Sequence, residues 1–363
     1  MADGKAARFF AKVYSPTGAV FRRVIDWKII KNIPTFVREI GKPASDVTLD
    51  LALPWDNFGY GDAAGINPFD LVKIYAVNTA NPTGLLVFQG HIEEITGTKA
   101  GDTDSVSLRI FPIEALFNRP LWKSGTYVIA YTSADVDTIF SDAIDDINTI
   151  YGATFFTKNL GNPALSVNLT FTKQSHLASM QAAAALLPAT WYWRALASGQ
   201  IDMQQFNDST QDHTLYMGKT VAKVETIKSI MDLKNRILLT WGSGPTDSEY
   251  NDATSETNYG RRMIAESNSQ LQNSAAADAQ GNADVARQKD VKTKTILTVN
   301  ANYAIETIKP GDTVKVLNVS QNTSQMLTGV LRIVRVEYDG ATAVLHLADV
   351  ADNFGNEFVK AIS

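Results

Sequence analysis

Hydrophobic and polar positions alternate with period two through most of the first third of the chain. In "DVTLDLALPW", Val47, Leu49, Leu51 and Leu53 fall on one face, the repeat of a half-buried strand. "ARFFAKVYSPTGAVFRRVI" holds two apolar runs split by Ser15-Pro16-Thr17-Gly18, a turn signal. "DLVKIYAVN", "GLLVFQGHIEEITG" and "DSVSLRIFPI" follow at strand-like spacing, with turns at Asn81-Pro82-Thr83-Gly84 and Gly101-Asp102. Five or six strands in about 110 residues predict a barrel or a sandwich.

The period then changes. In "SADVDTIFSDAIDDINTIYG", Val136, Ile139, Phe140, Ala143, Ile144 and Ile147 recur at three and four, which predicts an amphipathic helix with Ser133 as N-cap and Gly152 as its stop. A second helix fits "HLASMQAAAALLPA", ended by Pro188, and "ALSVNLTFTK" reads as a strand between the two. After it comes "ATWYWRALASGQIDM", read as a strand at Trp191–Arg194, a turn at Ser198-Gly199 and a return strand at Gln200–Gln204. Residues 121–218 therefore read as a small α+β unit. Strand character returns in "VAKVETIKSIMDLKNRILLTWG". A polar, helix-prone stretch follows, interrupted by Gly281. The last part reads as four or five strands, with a turn at Pro310-Gly311-Asp312 and a short-hairpin signal at Asp339-Gly340. There is no short-period repeat, only a coarse succession of strand-rich, helical and strand-rich parts.

Composition narrows the classes. At 363 residues and 45% hydrophobic, the chain is long enough for two to four compact units with sizeable cores. The absence of cysteine excludes disulfide staples, thiolate metal sites and a cysteine nucleophile. "MADGKAARFF" lacks the pattern of a secretory signal, and no apolar run approaches the ~18 residues of a membrane span. The formal net charge of −5 argues against tight, salt-dependent phosphate binding. It suits a path along which nucleic acid slides without sticking.

Candidate chemistry is sparse. None of His91, His176, His213 and His346 pairs with another at metal-ligand spacing. His91-Ile92-Glu93-Glu94 lacks the partner histidine of a metallohydrolase motif, and strand alternation puts Glu93 and Glu94 on opposite faces. Gly218-Lys219-Thr220 lacks the upstream glycine of a phosphate loop, and Trp241-Gly242-Ser243-Gly244 lacks the glycine two before a nucleophilic serine. In "DVDTIFSDAIDD", Ile139 stands where a calcium loop needs an oxygen ligand. Asp202 and Asp208 flank the second strand of the aromatic hairpin and offer a pair of carboxylates for glycoside hydrolysis. Trp191 and Trp193 fall on one face of their strand and Tyr192 on the other. That suits either a stacking platform for sugars or bases, or a strand packed on both sides; packing is the stronger reading, because a buried indole stabilises by ~2–3 kcal/mol.

Three stretches, taken in order, resemble the tail hub proteins of bacteriophages, the baseplate hub of contractile tails and the hub region of tail-tip proteins in long non-contractile tails. They are "FRRVIDWKIIKNIPTFVREIGKPASDVTLDLALPWDNFG" leading to "INPFDLVKIYAVN" and "LLVFQGHIEEITG"; "LLPATWYWRALASGQIDMQ"; and "YAIETIKPGDTVKVLNV" with "LTGVLRIVRVEYDG". The match spans most of the chain as order and pattern, without a single diagnostic motif.

The resemblance implies a β-rich α+β chain with two tube-like β-barrel domains, an inserted α+β domain and a helical insertion. The expected division is 1–118 for the first barrel, 119–220 for the peripheral α+β domain, 221–245 plus 291–350 for the second barrel, 246–290 for the helical insertion and 351–363 for a C-terminal tail. Three subunits would put six barrels in a ring, matching a six-fold tail tube to a three-fold tip around a DNA channel. The implied protein is a structural part of the virion, at the tail tip or baseplate, made in the host bacterial cytoplasm. It has no catalytic, cofactor-binding or metal-binding residues. Its partners are two further copies of itself, the tail tube or distal tail protein, and tip, spike or fibre proteins, with phage DNA passing unbound and no membrane insertion. Many such relatives carry C-terminal extensions with peptidase, lysin or receptor-binding parts. This chain stops at Ser363 just after the last barrel strands, which counts against an enzymatic role. The alternatives are a tail-associated cell-wall-degrading enzyme and a carbohydrate-binding receptor module that uses the tryptophans.

Overall fold

The computed structural model describes residues 8–52, 65–78, 81–100, 103–118, 127–188, 190–206, 211–242, 244–317 and 331–348. The first part holds β1 (Arg8–Tyr14), β2 (Phe21–Ile25), β3 (Phe36–Glu39), β4 (Val47–Leu51), β5 (Leu71–Val77), β6 (Leu85–Ala100) and β7 (Thr103–Pro112). The middle holds β8 (Val128–Asp135), α1 (Val136–Tyr151), β9 (Thr157–Leu160), β10 (Ser166–Thr172), α2 (His176–Ala185), β11 (Trp191–Ala195) and β12 (Gln200–Gln205). Then come β13 (His213–Tyr216), β14 (Val221–Ser229), β15 (Arg236–Trp241), β16 (Thr246–Asn251), α3 (Ala253–Tyr259), β17 (Met263–Asn268) and α4 (Ser274–Gln288). The chain continues through β18 (Lys292–Asn300), β19 (Thr313–Leu317), β20 (Leu331–Tyr338) and β21 (Thr342–Ala348).

Two curled half-barrel sheets dominate, in a β-rich α+β fold. The first runs β2-β1-β5-β6-β7-β4, and the second β13-β19-β20-β21-β18-β14. The alternation read from the sequence holds: Phe9, Ala11 and Val13 of β1 point into the core, as do Val47, Leu49 and Leu51 of β4, while Leu53 lies outside the described residues. One strand ties the sheets together. β3 comes from the first part of the chain but pairs with β20 of the second sheet, Phe36 opposite Tyr338 and Glu39 opposite Arg335. A single apolar core accordingly runs through both sheets, with Phe36 in contact with Phe88 on one side and Tyr338 on the other. Asp339-Gly340 makes the tight turn between β20 and β21. Gly101-Asp102 falls outside the described residues.

A second core lies beside the first. All six periodic positions of α1, from Val136 to Ile147, are buried in it. Its cap differs from expectation. β8 runs through Asp135, so Asp135 and not Ser133 stands at the N-cap, and the Asp135 carboxylate accepts from Ser166 rather than capping the helix. Gly152 ends the helix as expected.

Four further differences have physical causes. Residues 221–245 do not all join the second half-barrel: β15 pairs with β16 on one side and β17 on the other, and Ile237 and Leu239 are buried in the core of α1. Residues 246–290 are therefore not wholly helical. β16 reads "TDSEYN", whose polar side chains hide a strand from a hydrophobicity pattern, and β17 buries only alternate residues partly. Gly281 does not interrupt α4. The helix passes through it because the Tyr250 ring packs there, so closely that a Cβ would lie 2.1 Å from Tyr250 Cδ2. In the same way, β13 pairs in parallel with β19, which takes residues 213–216 out of the α+β unit and into the second half-barrel.

Candidate assembly site at the aromatic hairpin

β11 and β12 form the antiparallel hairpin, Trp191 opposite Gln205 and Ala195 opposite Ile201, and β9 adds a parallel strand beyond β12. Alternation along β11 sends its side chains into two different cores. Trp193, 2% exposed, meets Phe140 of α1 edge to face at 5.6 Å, and Trp191 packs at the rim of the same core. Tyr192 points the other way into a small cluster with Ile40, Phe206 and Val334, its ring 4.4 Å from that of Phe206. Trp193 is therefore spent on packing, and Trp191, half-buried, lies against the same core.

The backbone and polar groups extend this clamp. The Gly41 N–H donates to the Trp193 carbonyl at 2.9 Å, and the Ile40 N–H to the Val334 carbonyl at 3.0 Å. Arg194 is the polar centre. Its Nε donates to Asp202 Oδ2 at 3.0 Å, and its Nη1 to Asp312 Oδ1 at 2.7 Å and to the Pro310 carbonyl at 2.8 Å. Asp202, 2% exposed, also accepts from Asn159 at 2.9 Å and Gln200 at 2.6 Å. Asp312 accepts through Oδ2 from the Lys309 N–H at 3.0 Å and lies 2.9 Å from His213 Nε2, whose Nδ1 lies 2.9 Å from the Tyr303 hydroxyl. Burial opposes ionisation of Asp312, but the hydrogen bond from His213 and the charge of Arg194 outweigh it and hold the carboxyl below its usual range. Burial likewise opposes the charge of Arg194, and Tyr192 and Asp312 more than offset it.

Gly311 explains the turn that receives Arg194. It sits at φ +91°, and a Cβ would fall 2.2 Å from Tyr192 Cε2, so only glycine lets the Pro310-Gly311-Asp312 turn lie on the tyrosine ring. The network thus joins the α+β layer, through Arg194 and Asp202, to the second half-barrel, through Asp312 and His213. Sequence reading singled out the hairpin and the turn separately. It missed Arg194 and Asp312 because nothing local pairs residues 118 positions apart.

The remaining candidates are placed as follows. Asp202 is fully engaged by Arg194, Asn159 and Gln200, and Asp208 lies outside the described residues. His91 is buried, its ring stacked on Phe69 at 4.5 Å with Nδ1 2.9 Å from the Phe69 carbonyl. Burial pushes its pKa down to about 4, and does the same for the buried His176. His346 lies 2.9 Å from Glu337. The register shifts between Ile92 and Glu94, so strict alternation fails there. Glu93 and Glu94 are both exposed, and both act on Arg109. Gly218-Lys219-Thr220 is the turn from β13 into β14, with a strand and no helix after it. Trp241 donates to Ser248 across the β15–β16 hairpin, and Ser243 is outside the described residues. In the aspartate-rich helix, Asp142 accepts from Tyr131 and Asp145 pairs with Lys158 at 2.6 Å. Among the described residues no group of three His, Asp or Glu is arranged to hold a metal ion, and no helix is long and apolar enough to cross a membrane.

No protein-family model matches the chain, and no curated protein matches it in sequence. Solved structures do match it in fold. A tail protein from Neisseria meningitidis MC58 superposes with a TM-score of 0.63 at 14% identity, covering 94% of this chain and 96% of that one. The 43 kDa tail protein of prophage MuSo2 from Shewanella oneidensis gives 0.61 at 12% identity, over 94% and 98% of the two chains. Prophage tail protein gp18 from Listeria monocytogenes EGD-e gives 0.61 at 10% identity, over 97% of each. Along nearly its whole length, then, this chain has the tail-hub-like fold of phage and prophage tail proteins.

Proposed function

We propose that the chain is a structural hub of a phage-type tail, joining a six-fold tail tube to a three-fold tip, with three copies enclosing a channel through which DNA passes. The observation that carries this reading is the pair of curled half-barrel sheets fused through one core and locked by β3. Two tube-like elements held at one fixed relation within a chain are what a three-fold ring needs to present six equivalent positions. An inserted layer clamped by Arg194, Asp202 and Asp312 supplies a rigid outer wall. Assignment of residues 8–112 apart from β3 to one barrel domain, and of β13, β14 and β18–β21 to the other, is part of this proposal.

The site chemistry supports a role without catalysis. The carboxylate offered for glycoside cleavage, Asp202, is buried in an ion pair, and the tryptophans beside it are packed. The partners are further copies of the chain, the tube or distal tail protein, and tip proteins; the location is the tail of the virion. The test is to tag the chain, image assembled particles and incubate the purified chain with cell-wall material. Density for the tag at the tube–tip junction, without turnover, is the expected result. Turnover abolished by Asp202→Asn in a chain that still folds would overturn it.

A further inference from the structure

β6 and β14 each leave a long stretch of edge open among the described residues, and they belong to different half-barrels. β5 lies beside β6 only as far as the pair Leu71–His91. Next, the Ile92 N–H donates to the Asp70 carbonyl at 3.0 Å and the Phe69 N–H to the Ile92 carbonyl at 2.7 Å. From Glu93 to Lys99 the same side of β6 has no backbone partner among the described residues. β7 follows the other side of β6 to the pair Ala100–Thr103, but β4 flanks β7 only as far as the pair Leu51–Val106. Past that point the first sheet narrows to a two-stranded arm of Thr98, Lys99, Asp104 and Ser105, which has no apolar face of its own. Such a ribbon is marginal in water until a third strand or a packing face supports it. The second edge is β14, the last strand of its half-barrel. It pairs with β18, and from Ala222 to Ser229 its other side has no backbone partner among the described residues. At 3.3 Å per residue this edge is about 26 Å long and that of β6 about 23 Å, room for a ladder of roughly five pairs or more. Lys223, Glu225 and Ile227 are the exposed side chains of alternate positions on β14, and the strand runs on into the exposed Ile230 and Met231. An open edge this long beside apolar side chains invites another strand.

We propose that the β6 arm of one copy pairs along the β14 edge of a second copy, so that the first half-barrel of each chain is hydrogen-bonded to the second half-barrel of its neighbour. Within one chain the half-barrels are already joined by a borrowed strand, β3 on β20, and the proposed contact repeats that kind of joint between chains. Pairing of β14 with its own counterpart would give a two-fold contact, and its full-overlap antiparallel register would set Lys223 against Lys228. Pairing of the arm with β14 joins unlike surfaces, so copies add head to tail and close into a ring when the rotation permits. Backbone groups carry this ladder, and the charges beside it keep the partners they have: Glu93 with Arg109, Thr96 donating to Glu94, and Lys223 with Glu225. This inference rests on the ring reading above and assigns its contact.

The chain has no cysteine, so single thiols can be placed without background. T96C and T98C place one on the arm, and K223C, E225C and I227C place one on β14. Each arm variant is mixed with each β14 variant before assembly and oxidised mildly, non-reducing gels score the cross-linked dimer, and sedimentation velocity of the wild type records the assembly. At least one arm–β14 mixture is expected to give about tenfold more dimer than either variant alone. Proline at Glu225 and at Thr226 supplies a second readout, because neighbouring residues of a strand turn their N–H groups to opposite sides. The one of E225P and T226P that melts like the wild type has lost only its edge N–H, and is expected to associate about tenfold more weakly. Should both melt early, the cross-linking decides alone. Cross-links that form only between identical variants, or in no mixture, overturn the proposed contact, and a three-fold assembly in that case leaves the ring reading standing. An arm–β14 cross-link within an assembly that is not three-fold supports the contact and overturns the ring reading. A wild-type chain that stays monomeric throughout, with no cross-link, overturns both.

Discussion

Replacing Arg194 by methionine tests the clamp at its centre. The guanidinium is the cation between Asp202 and Asp312, whose side chains are 3% and 13% exposed. Methionine keeps the length and the apolar stem but leaves two carboxylates buried with their shared charge removed. Breaking a buried ion pair on one side costs about 3–5 kcal/mol, whereas an exposed pair is worth ~0–1 kcal/mol. At roughly 2 °C per kcal/mol for a chain of this size, R194M is expected to melt about 6–10 °C lower. Urea unfolding followed by tryptophan fluorescence is the assay, because Trp191 and Trp193 flank the substitution. The triple variant R194M/D202N/D312N removes the stranded charges and is expected to be more stable than R194M alone. A stability for R194M within about 1 kcal/mol of wild type would refute the reasoning, since the network would then behave like a surface pair.

Three other outcomes are expected. Gly311→Ala puts a methyl group on the Tyr192 ring at a positive φ and is expected to destabilise by about 2 kcal/mol or more, read by the same urea titration. Oligosaccharides are expected not to quench the fluorescence of Trp191 and Trp193; saturable quenching abolished by Trp191→Ala would speak for a carbohydrate site. Acid is expected to weaken the fold in two windows. His91 and His176 titrate near 4 in the folded chain against about 6.5 unfolded, so the unfolded chain binds protons first and stability falls as pH drops from 6.5 towards 4, by roughly 3 kcal/mol for each histidine. Asp312, held low when folded, contributes stability above the unfolded carboxylate value that is lost as pH falls through its folded value. Thermal melts across pH 4–7 of the wild type and of His176→Leu check the histidine part, and an unchanged slope in the variant would count against it.

The sequence made the strands of the half-barrels legible because each buries one face, so period two survives in β1, β4 and β5. The six buried positions of α1 were legible for the matching helical reason. What escaped was non-local. β16 is polar throughout its exposed length, so only its pairing with β15 makes it a strand. α4 crosses Gly281 because Tyr250, 31 positions earlier, covers it. The hairpin was visible as "WYWRA" followed by Ser198-Gly199. Its purpose was not, because the anchor of Arg194 lies at Asp312 and that of Tyr192 at Gly311. Asp202 looked like a free carboxylate for the same reason: its cation stands across the hairpin, on the facing strand.

The central claim is that one chain supplies two of six positions in a ring that DNA traverses. Electron cryomicroscopy of the assembled full chain, with the potential of the lumen mapped from the resulting coordinates, tests it most directly. The account predicts a three-fold ring of three chains with six half-barrel positions around the bore, and a wall on which acidic and neutral side chains outnumber basic ones. A two-fold or six-fold assembly, or a three-fold ring with a strongly basic bore, would contradict it.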